Sequence, residues 1–277
     1  MKRFKCLGLT WMLLTMMATV AVAGDERFNE KRLLDAGFTP LLNGEDLSGW
    51  KVPEGDGGHW KVVDAVIDYD AKSEAKGNKS LFTEQEFGNY MLHLEWRFKR
   101  TSGLYAMRTI LPSGDYKTGE DGKPITTPAP NADSGILLRG PRHQANLWCW
   151  PCGSGELWGT RNNKSLPAEV RAAAVPKVNA DNPVGEWNRM VITMTGDRVT
   201  IMENGKKVID NAQIPGIPEQ GPIGFQHHGG PLSSRQIAKL KEEGSYKEGD
   251  PEPMSPASSL IQFRRIYIKP LESPESP

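Results

Sequence analysis

The sequence predicts an all-β protein, a sandwich or barrel of antiparallel strands with few helices, and three observations carry that expectation. Short β-like runs alternate with turn residues from Phe38 onward. Eight Trp, 29 Gly and 21 Pro in 277 residues suit turns and aromatic surfaces better than a helical bundle. Between two of the runs, Glu203-Asn204-Gly205-Lys206 is a hairpin signal, because Asn-Gly accepts the positive φ angles of a type I′ turn.

Taken in order, residues 60–69 and 80–83 are early strand candidates, and residues 90–99 are the clearest one. There Leu92, Leu94, Trp96 and Phe98 share one face while His93, Glu95, Arg97 and Lys99 share the other, so one side is core and the other polar. Further strands are expected at 134–139, 145–150, 187–195, 199–202, 207–210, 223–228 and 260–269. Three segments interrupt them. Residues 101–131 hold Ser-Gly, Asp-Gly and several prolines and read as a long loop of the kind that borders a site. Residues 166–175 are Ala-rich with Pro167 suited to a helix start, followed by a loop at 176–183. Residues 233–243 are a second short helix with Gly244 as a stop, followed by a polar, Pro-rich stretch to residue 259.

At the N-terminus, Lys2, Arg3 and Lys5 precede an apolar run over residues 7–22 that ends in Ala21-Val22-Ala23. This is the pattern of a secretory signal peptide cleaved after Ala23. The run sits at the lower limit for spanning a bilayer and no second one follows, so the mature chain is expected to be periplasmic or extracellular with no membrane segment. Cys6 lies ahead of the run and the next cysteine is Cys149, which argues against a lipoprotein. The expected organisation is a signal peptide at 1–23, a lead-in at 24–37, one domain at 38–271 and a frayed tail at 272–277. Basic and acidic residues number 34 each, so no long-range field favours a polyanion and nucleic acid is excluded as a partner. Cys149-Trp150-Pro151-Cys152 has the spacing of a redox or zinc motif. It is followed by Gly-Ser-Gly and lacks a second cysteine pair, which favours a structural role.

Several words of the sequence, in order, resemble the 3-keto-disaccharide hydrolase domain family. They are Phe38-Thr39-Pro40-Leu41-Leu42-Asn43-Gly44-Glu45-Asp46-Leu47-Ser48-Gly49-Trp50, Leu94-Glu95-Trp96, and Asp133-Ser134-Gly135-Ile136-Leu137-Leu138-Arg139-Gly140. They continue with Gly153-Ser154-Gly155-Glu156-Leu157-Trp158-Gly159, Gly185-Glu186-Trp187-Asn188, and the stretch from Gly221 through Phe225-Gln226-His227-His228 to Gly229. The resemblance implies a concanavalin-like jelly roll, a two-sheet antiparallel sandwich with short helical insertions and a concave face that receives sugar. It also implies an exported enzyme that cleaves glycosides whose C3 hydroxyl has been oxidised to a ketone.

Such a ketone makes the C2 proton acidic, so the C1 leaving group can depart by elimination, with water added in the same or a later step. The route needs a base near C2, an electrophile near the C3 oxygen and an acid at the leaving oxygen. It does not need the paired carboxylates of a retaining glycosidase, and no Glu-x-Asp-x-x-Glu run is present. Glu95 could serve as base, metal ligand or sugar acceptor, or else form a salt bridge with Arg97 or Arg139. Arg139 could hold a carbonyl or enolate oxygen with paired donors, or else be a structural ion-pair partner. Glu156 is a second acid, base or ligand candidate. His228 could remove the C2 proton, with Gln226 on its face and Phe225 turned to the core. Gln144, Asn146 and Trp148 alternate and so share a strand face suited to binding a sugar. A divalent metal ion is a possible cofactor, and it would need Glu95 or Glu156 from across the sheet, because adjacent histidines point to opposite sides. The expected partner is a carbohydrate or glycoside. A non-catalytic carbohydrate-binding, lectin-like module using the same groove is the alternative.

Overall fold

The structure is a computed structural model that describes residues 28–101, 104–250 and 252–272. The leader and its cleavage site lie outside the described residues. Along the chain the strands are β1 (Thr39–Pro40), β2 (Trp50–Lys51), β3 (Lys61–Val63), β4 (Val66–Asp68), β5 (Leu81–Phe87), β6 (Tyr90–Phe98), β7 (Leu104–Arg108) and β8 (Thr126–Pro130). They continue as β9 (Asp133–Leu137), β10 (Gln144–Trp148), β11 (Asn188–Thr195), β12 (Arg198–Glu203), β13 (Lys206–Gln213), β14 (Gly221–Phe225) and β15 (Ile261–Pro270). Eight form one sheet in the order β13-β12-β11-β6-β15-β4-β3, with β1 beside β15, and five form a second in the order β10-β9-β14-β5-β2. The neighbours pair antiparallel, as in β6 with β11 and β9 with β10. The fold is therefore the predicted two-sheet antiparallel sandwich.

Alternation in the strands builds the core. Tyr90, Leu92, Leu94, Trp96 and Phe98 of β6 are buried and cluster with Ile136 of β9, Ala145 and Leu147 of β10, and Phe225 of β14. Phe225 stacks on Phe263 with ring centroids 3.8 Å apart, joining the two sheets through an aromatic pair. At about 25 cal/mol per Å2 of apolar surface removed from water, this shared layer is the main force holding the sheets face to face.

The structure refines the expected elements in several places. Residues 60–69 are not one strand but the hairpin β3–β4, because Asp64 and Ala65 turn the chain at φ 52° and 60°. Residues 101–131 are not wholly loop, since β7 and β8 pair there as a separate two-stranded sheet. Strand β14 ends at Phe225, so His227 and His228 lie just past it. The two predicted helices are present as α3 (Ala168–Ala173) and α4 (Ser234–Glu242), the latter opened by a Ser233–Gln236 capping box. Helices α1 (Glu30–Asp35) and α2 (Trp158–Asn162) have no counterpart in the sequence reading, being too short to show a helical period. The expected turn does join β12 to β13, with Asn204 and Gly205 at φ 48° and 78°.

One irregularity bears on function. In the β15–β6 ladder Arg264 faces Glu95 and Tyr267 faces His93, so β15 carries an extra residue, with Arg265 at φ 51°. The bulge lets both Arg264 and Arg265 reach the same carboxylate.

Candidate active site on the outer face of the five-stranded sheet

Register decides which side chains meet on the outer face of the smaller sheet. Asp133 lies opposite Trp148, Gly135 opposite Asn146, and Leu137 opposite Gln144. Gly224 lies opposite Leu137, and the Gln226 N–H donates to the Gly135 carbonyl at 2.9 Å just past the strand end, which brings Gln226 to the same side. Asn146 also exchanges backbone hydrogen bonds with the 155–156 segment, its N–H donating to the Glu156 carbonyl at 2.9 Å and its carbonyl accepting from the Gly155 N–H at 2.7 Å. Glu156 is thereby set beside β10 as if on one more strand.

At one end of this face the His228 Nε2 stands 3.7 Å from Asp133 Oδ2. The other ring nitrogen, Nδ1, is 2.8 Å from the Ala257 carbonyl. A carbonyl can only accept, so Nδ1 carries a proton, and Nε2 is the ring nitrogen turned to Asp133 on the face. Burial raises the Asp133 carboxyl to about 6, and the neighbouring imidazole pulls it back down. Asp133 Oδ1 and Gln226 Oε1 are both buried and have no hydrogen-bond partner. An orphaned buried acceptor is costly, so this end of the face carries two acceptors whose hydrogen-bonding capacity the protein does not fill.

Along the face runs a chain of amides. Gln144 Nε2 donates to Asn146 Oδ1, and Asn146 Nδ2 donates to Glu156 Oε2 at 2.9 Å. Glu156 Oε1 accepts from Arg161 Nε of α2, and the same guanidinium donates to the Gly114 carbonyl and the Tyr116 hydroxyl at 3.1 Å each. Burial lifts the Glu156 carboxyl to about 7, while Arg161 pulls it the other way. Gly135 keeps the middle of the face clear, because a Cβ there would lie 3.1 Å from Gln144 Oε1 and 3.2 Å from Gln226 Oε1.

The structure thus brings Glu156, His228, Gln144, Asn146 and Gln226 together, and separates them from Glu95 and Arg139. Glu95 lies on the outer face of the eight-stranded sheet, 92% buried at its side chain, and accepts from Arg264 Nε at 2.7 Å and Arg265 at 3.2 Å. Those partners differ from the Arg97 and Arg139 considered from the sequence. Arg139 follows the far end of β9, six residues from Asp133, about 20 Å along an extended chain. Its donors go to the carbonyls of Gly88, Gly196 and Pro218 and to Asn89 Oδ1. Trp148 is only 2% exposed, donates Nε1 to the Gly153 carbonyl and stacks on Trp150 at 4.2 Å. Its buried ring supports the face rather than offering a stacking surface on it.

Three members of the constellation escaped the sequence reading. Asp133 opens the Asp-Ser-Gly word, and its parity with Gly135 would have placed it on the face. Arg161 and Tyr116 come from a short helix and a long loop, and nothing local marks them. Among the described residues no group of three or more His, Cys, Asp or Glu side chains is placed to hold a metal ion. Cys149 and Cys152 are free thiols, and burial pushes both up to about 12.

A two-sheet antiparallel sandwich with amides, carboxylates and an imidazole gathered on one outer sheet face defines the class of fold, an all-β jelly roll with a polar sheet face. Within that class, the chain belongs to the 3-keto-alpha-glucoside-1,2-lyase-like domain family, whose model matches residues 37–238. A proposed glycosyl hydrolase from Parabacteroides distasonis is 19% identical with a TM-score of 0.51, over 88% of this chain and 98% of that one. A second such structure from the same organism is 20% identical with a TM-score of 0.47, over 85% and 84% of the two chains. A carbohydrate-binding module of Bacillus subtilis is 14% identical with a TM-score of 0.33, over 66% and 88%. The first of these supports the fold. No curated protein matches the chain. No helix among the described residues is long and apolar enough to cross a membrane.

Proposed function

We propose that the protein is an exported enzyme that cleaves 3-keto-glycosides on the outer face of the five-stranded sheet. The observation that carries this reading is the pairing of a free imidazole nitrogen with two orphaned acceptors: His228 Nε2 faces Asp133, and Asp133 Oδ1 and Gln226 Oε1 have no partner. Acceptors of this kind call for a ligand rich in hydroxyl donors, and a ring nitrogen beside a carboxylate calls for a proton to remove. A sugar with an acidified C2 supplies both.

In this reading His228 Nε2 takes the C2 proton, and Asp133 stabilises the imidazolium that results. The electron pair moves into the C3 carbonyl as an enolate, then returns to form C1=C2 as the C1–O bond breaks. The leaving oxygen takes the proton back from the His228 imidazolium, which restores the neutral base. Amide N–H groups of Gln144 and Gln226 are the donors available on the face for the enolate oxygen. Glu156 has both oxygens occupied, by Asn146 and Arg161, so it fixes Asn146 and Gln144 in place. Glu95 and Arg139 serve the scaffold. Export rests on the leader pattern at 1–23.

The test is aglycone release from a 3-keto-β-glucoside, with the unoxidised parent as control and with and without chelator. Release from the keto sugar alone supports the proposal, and loss with chelator assigns a divalent ion to the site. An unsaturated product marks elimination, and a hydrated one hydrolysis. Sugar binding with no release from either substrate would mark a binding module instead.

A further inference from the structure

A cavity lies at the end of the sandwich where β6 and β10 run out, next to the Asp133 end of the outer face, because Trp148, the register partner of Asp133, lines it. It is a cleft of about 280 Å3. Its apolar lining is Trp96, Phe98, Trp148 and Trp150, and its polar rim is drawn from the 179–188 segment, with Asp181, Asn182, Glu186 and Asn188. The stacked pair Trp148–Trp150 forms one wall, with planes within 8° of parallel, and Trp150 is its half-buried member.

The cleft is built rather than accidental. Asp181 is anchored by the Ser154 backbone N–H at 3.1 Å and the Ser154 hydroxyl at 3.0 Å. Asn188 Oδ1 accepts from the Asn182 N–H at 2.7 Å and from Asn204 Nδ2 at 2.8 Å, which holds the rim to the β12–β13 turn. Behind the lining, Glu203 is fully buried, accepts from Trp96 Nε1 at 3.1 Å and leaves Oε2 without a partner.

The chemistry of these walls narrows the ligand. No Lys or Arg lines the cleft, while Asp181 and Glu186 do, so phosphates, sulfates and uronates are repelled. A wholly apolar ligand would strip water from carboxylates and amides without replacing its hydrogen bonds. A neutral sugar ring meets both demands, its C–H face lying on indole and its hydroxyls donating to carboxylate and amide oxygens. The volume falls at the small end of ligand pockets, a size for one ring rather than a chain.

We infer that the cleft lined by Trp150, Asp181, Asn182 and Glu186 is a further carbohydrate-binding subsite, which takes a neutral, unoxidised sugar residue beside the Asp133 end of the outer face; as a subsite it rests on the reading of that face as the active site. Such a subsite would hold a neighbouring sugar residue next to the face where the proposed chemistry takes place.

The experiment is a titration of intrinsic tryptophan fluorescence with three unoxidised disaccharides, cellobiose, lactose and mannobiose. At least one should change the emission of the wild-type protein saturably. Trp150→Ala should weaken that binding at least tenfold, Trp150→Phe should keep it within about threefold because the stacking face remains, and Glu186→Ala, at an exposed rim position, should weaken it at least threefold. His228→Ala should bind as wild type. The inference is overturned if none of the three sugars binds, if Glu186→Ala and a folded Trp150→Ala both bind as wild type, or if His228→Ala abolishes binding. Cleavage of the 3-keto substrate is assayed separately, so failure of either proposal shows without the other.

Discussion

The two sheets present outer faces made from the same residue types and use them in opposite ways. On the eight-stranded sheet Glu95 is enclosed by Arg264 and Arg265, and Arg97 and Arg264 stack on Trp187 with their guanidinium carbons 4.5 and 4.1 Å from the ring centroid. Its carboxylate is met by cations from the neighbouring strand, and stacking fixes those cations in turn. On the five-stranded sheet Asp133 faces an imidazole whose Nδ1 proton is held by the Ala257 carbonyl, and one Asp133 oxygen has no partner. The first carboxylate is matched by cations, and the second keeps one buried oxygen unmatched.

The contrast is broken most severely at His228. Replacing it by Ala should lower turnover of a 3-keto-glycoside by about 10^2- to 10^4-fold, the usual range for a general base, while the melting temperature stays near wild type. Glu95→Ala should do the reverse, lowering stability in chemical denaturation by about 2 kcal/mol by leaving two guanidiniums with no shared carboxylate, with kcat within about twofold of wild type. Gly135→Ala should raise KM about fivefold, near 1 kcal/mol, with kcat little changed, because the new methyl displaces the Gln144 and Gln226 amides.

The smallest effect is a pH slope. Burial holds the Glu203 carboxyl well above its ordinary value, so the folded chain retains a proton that the unfolded chain has already lost. Its contribution to stability is complete below the ordinary Glu value and declines as pH rises towards the folded one. Glu203→Gln keeps an acceptor for Trp96 and removes that titration. The stability of the variant relative to wild type should therefore increase between pH 5 and pH 9, as followed by thermal unfolding at intervals of one pH unit.

Much of the fold was legible because a strand declares its faces. The alternation of Leu92, Leu94, Trp96 and Phe98 located the core side of β6, and Asn204-Gly205 located a hairpin. The same alternation put Gln144 and Asn146 on one face and turned Gln226 and His228 away from the core with Phe225 inside. Alternation cannot say which sheet a strand joins, and this is why Glu95 and Glu156, both legible as candidates, lie on opposite sides of the molecule. The bulge at Arg265 and the pairing of Asn146 with the 155–156 segment are tertiary facts that no local pattern encodes. Arg139 was legible as a charged strand end, but its carbonyl partners come from three separate turns.

The central claim is that chemistry belongs to the face that holds Asp133 and His228. It is tested most directly by measuring aglycone release from a 3-keto-β-glucoside with wild type, His228→Ala and Glu95→Gln side by side. The account predicts release by wild type and by Glu95→Gln, with loss of at least a hundredfold in His228→Ala. Full activity in His228→Ala together with loss in a folded Glu95→Gln would contradict it and move the active site to the other sheet.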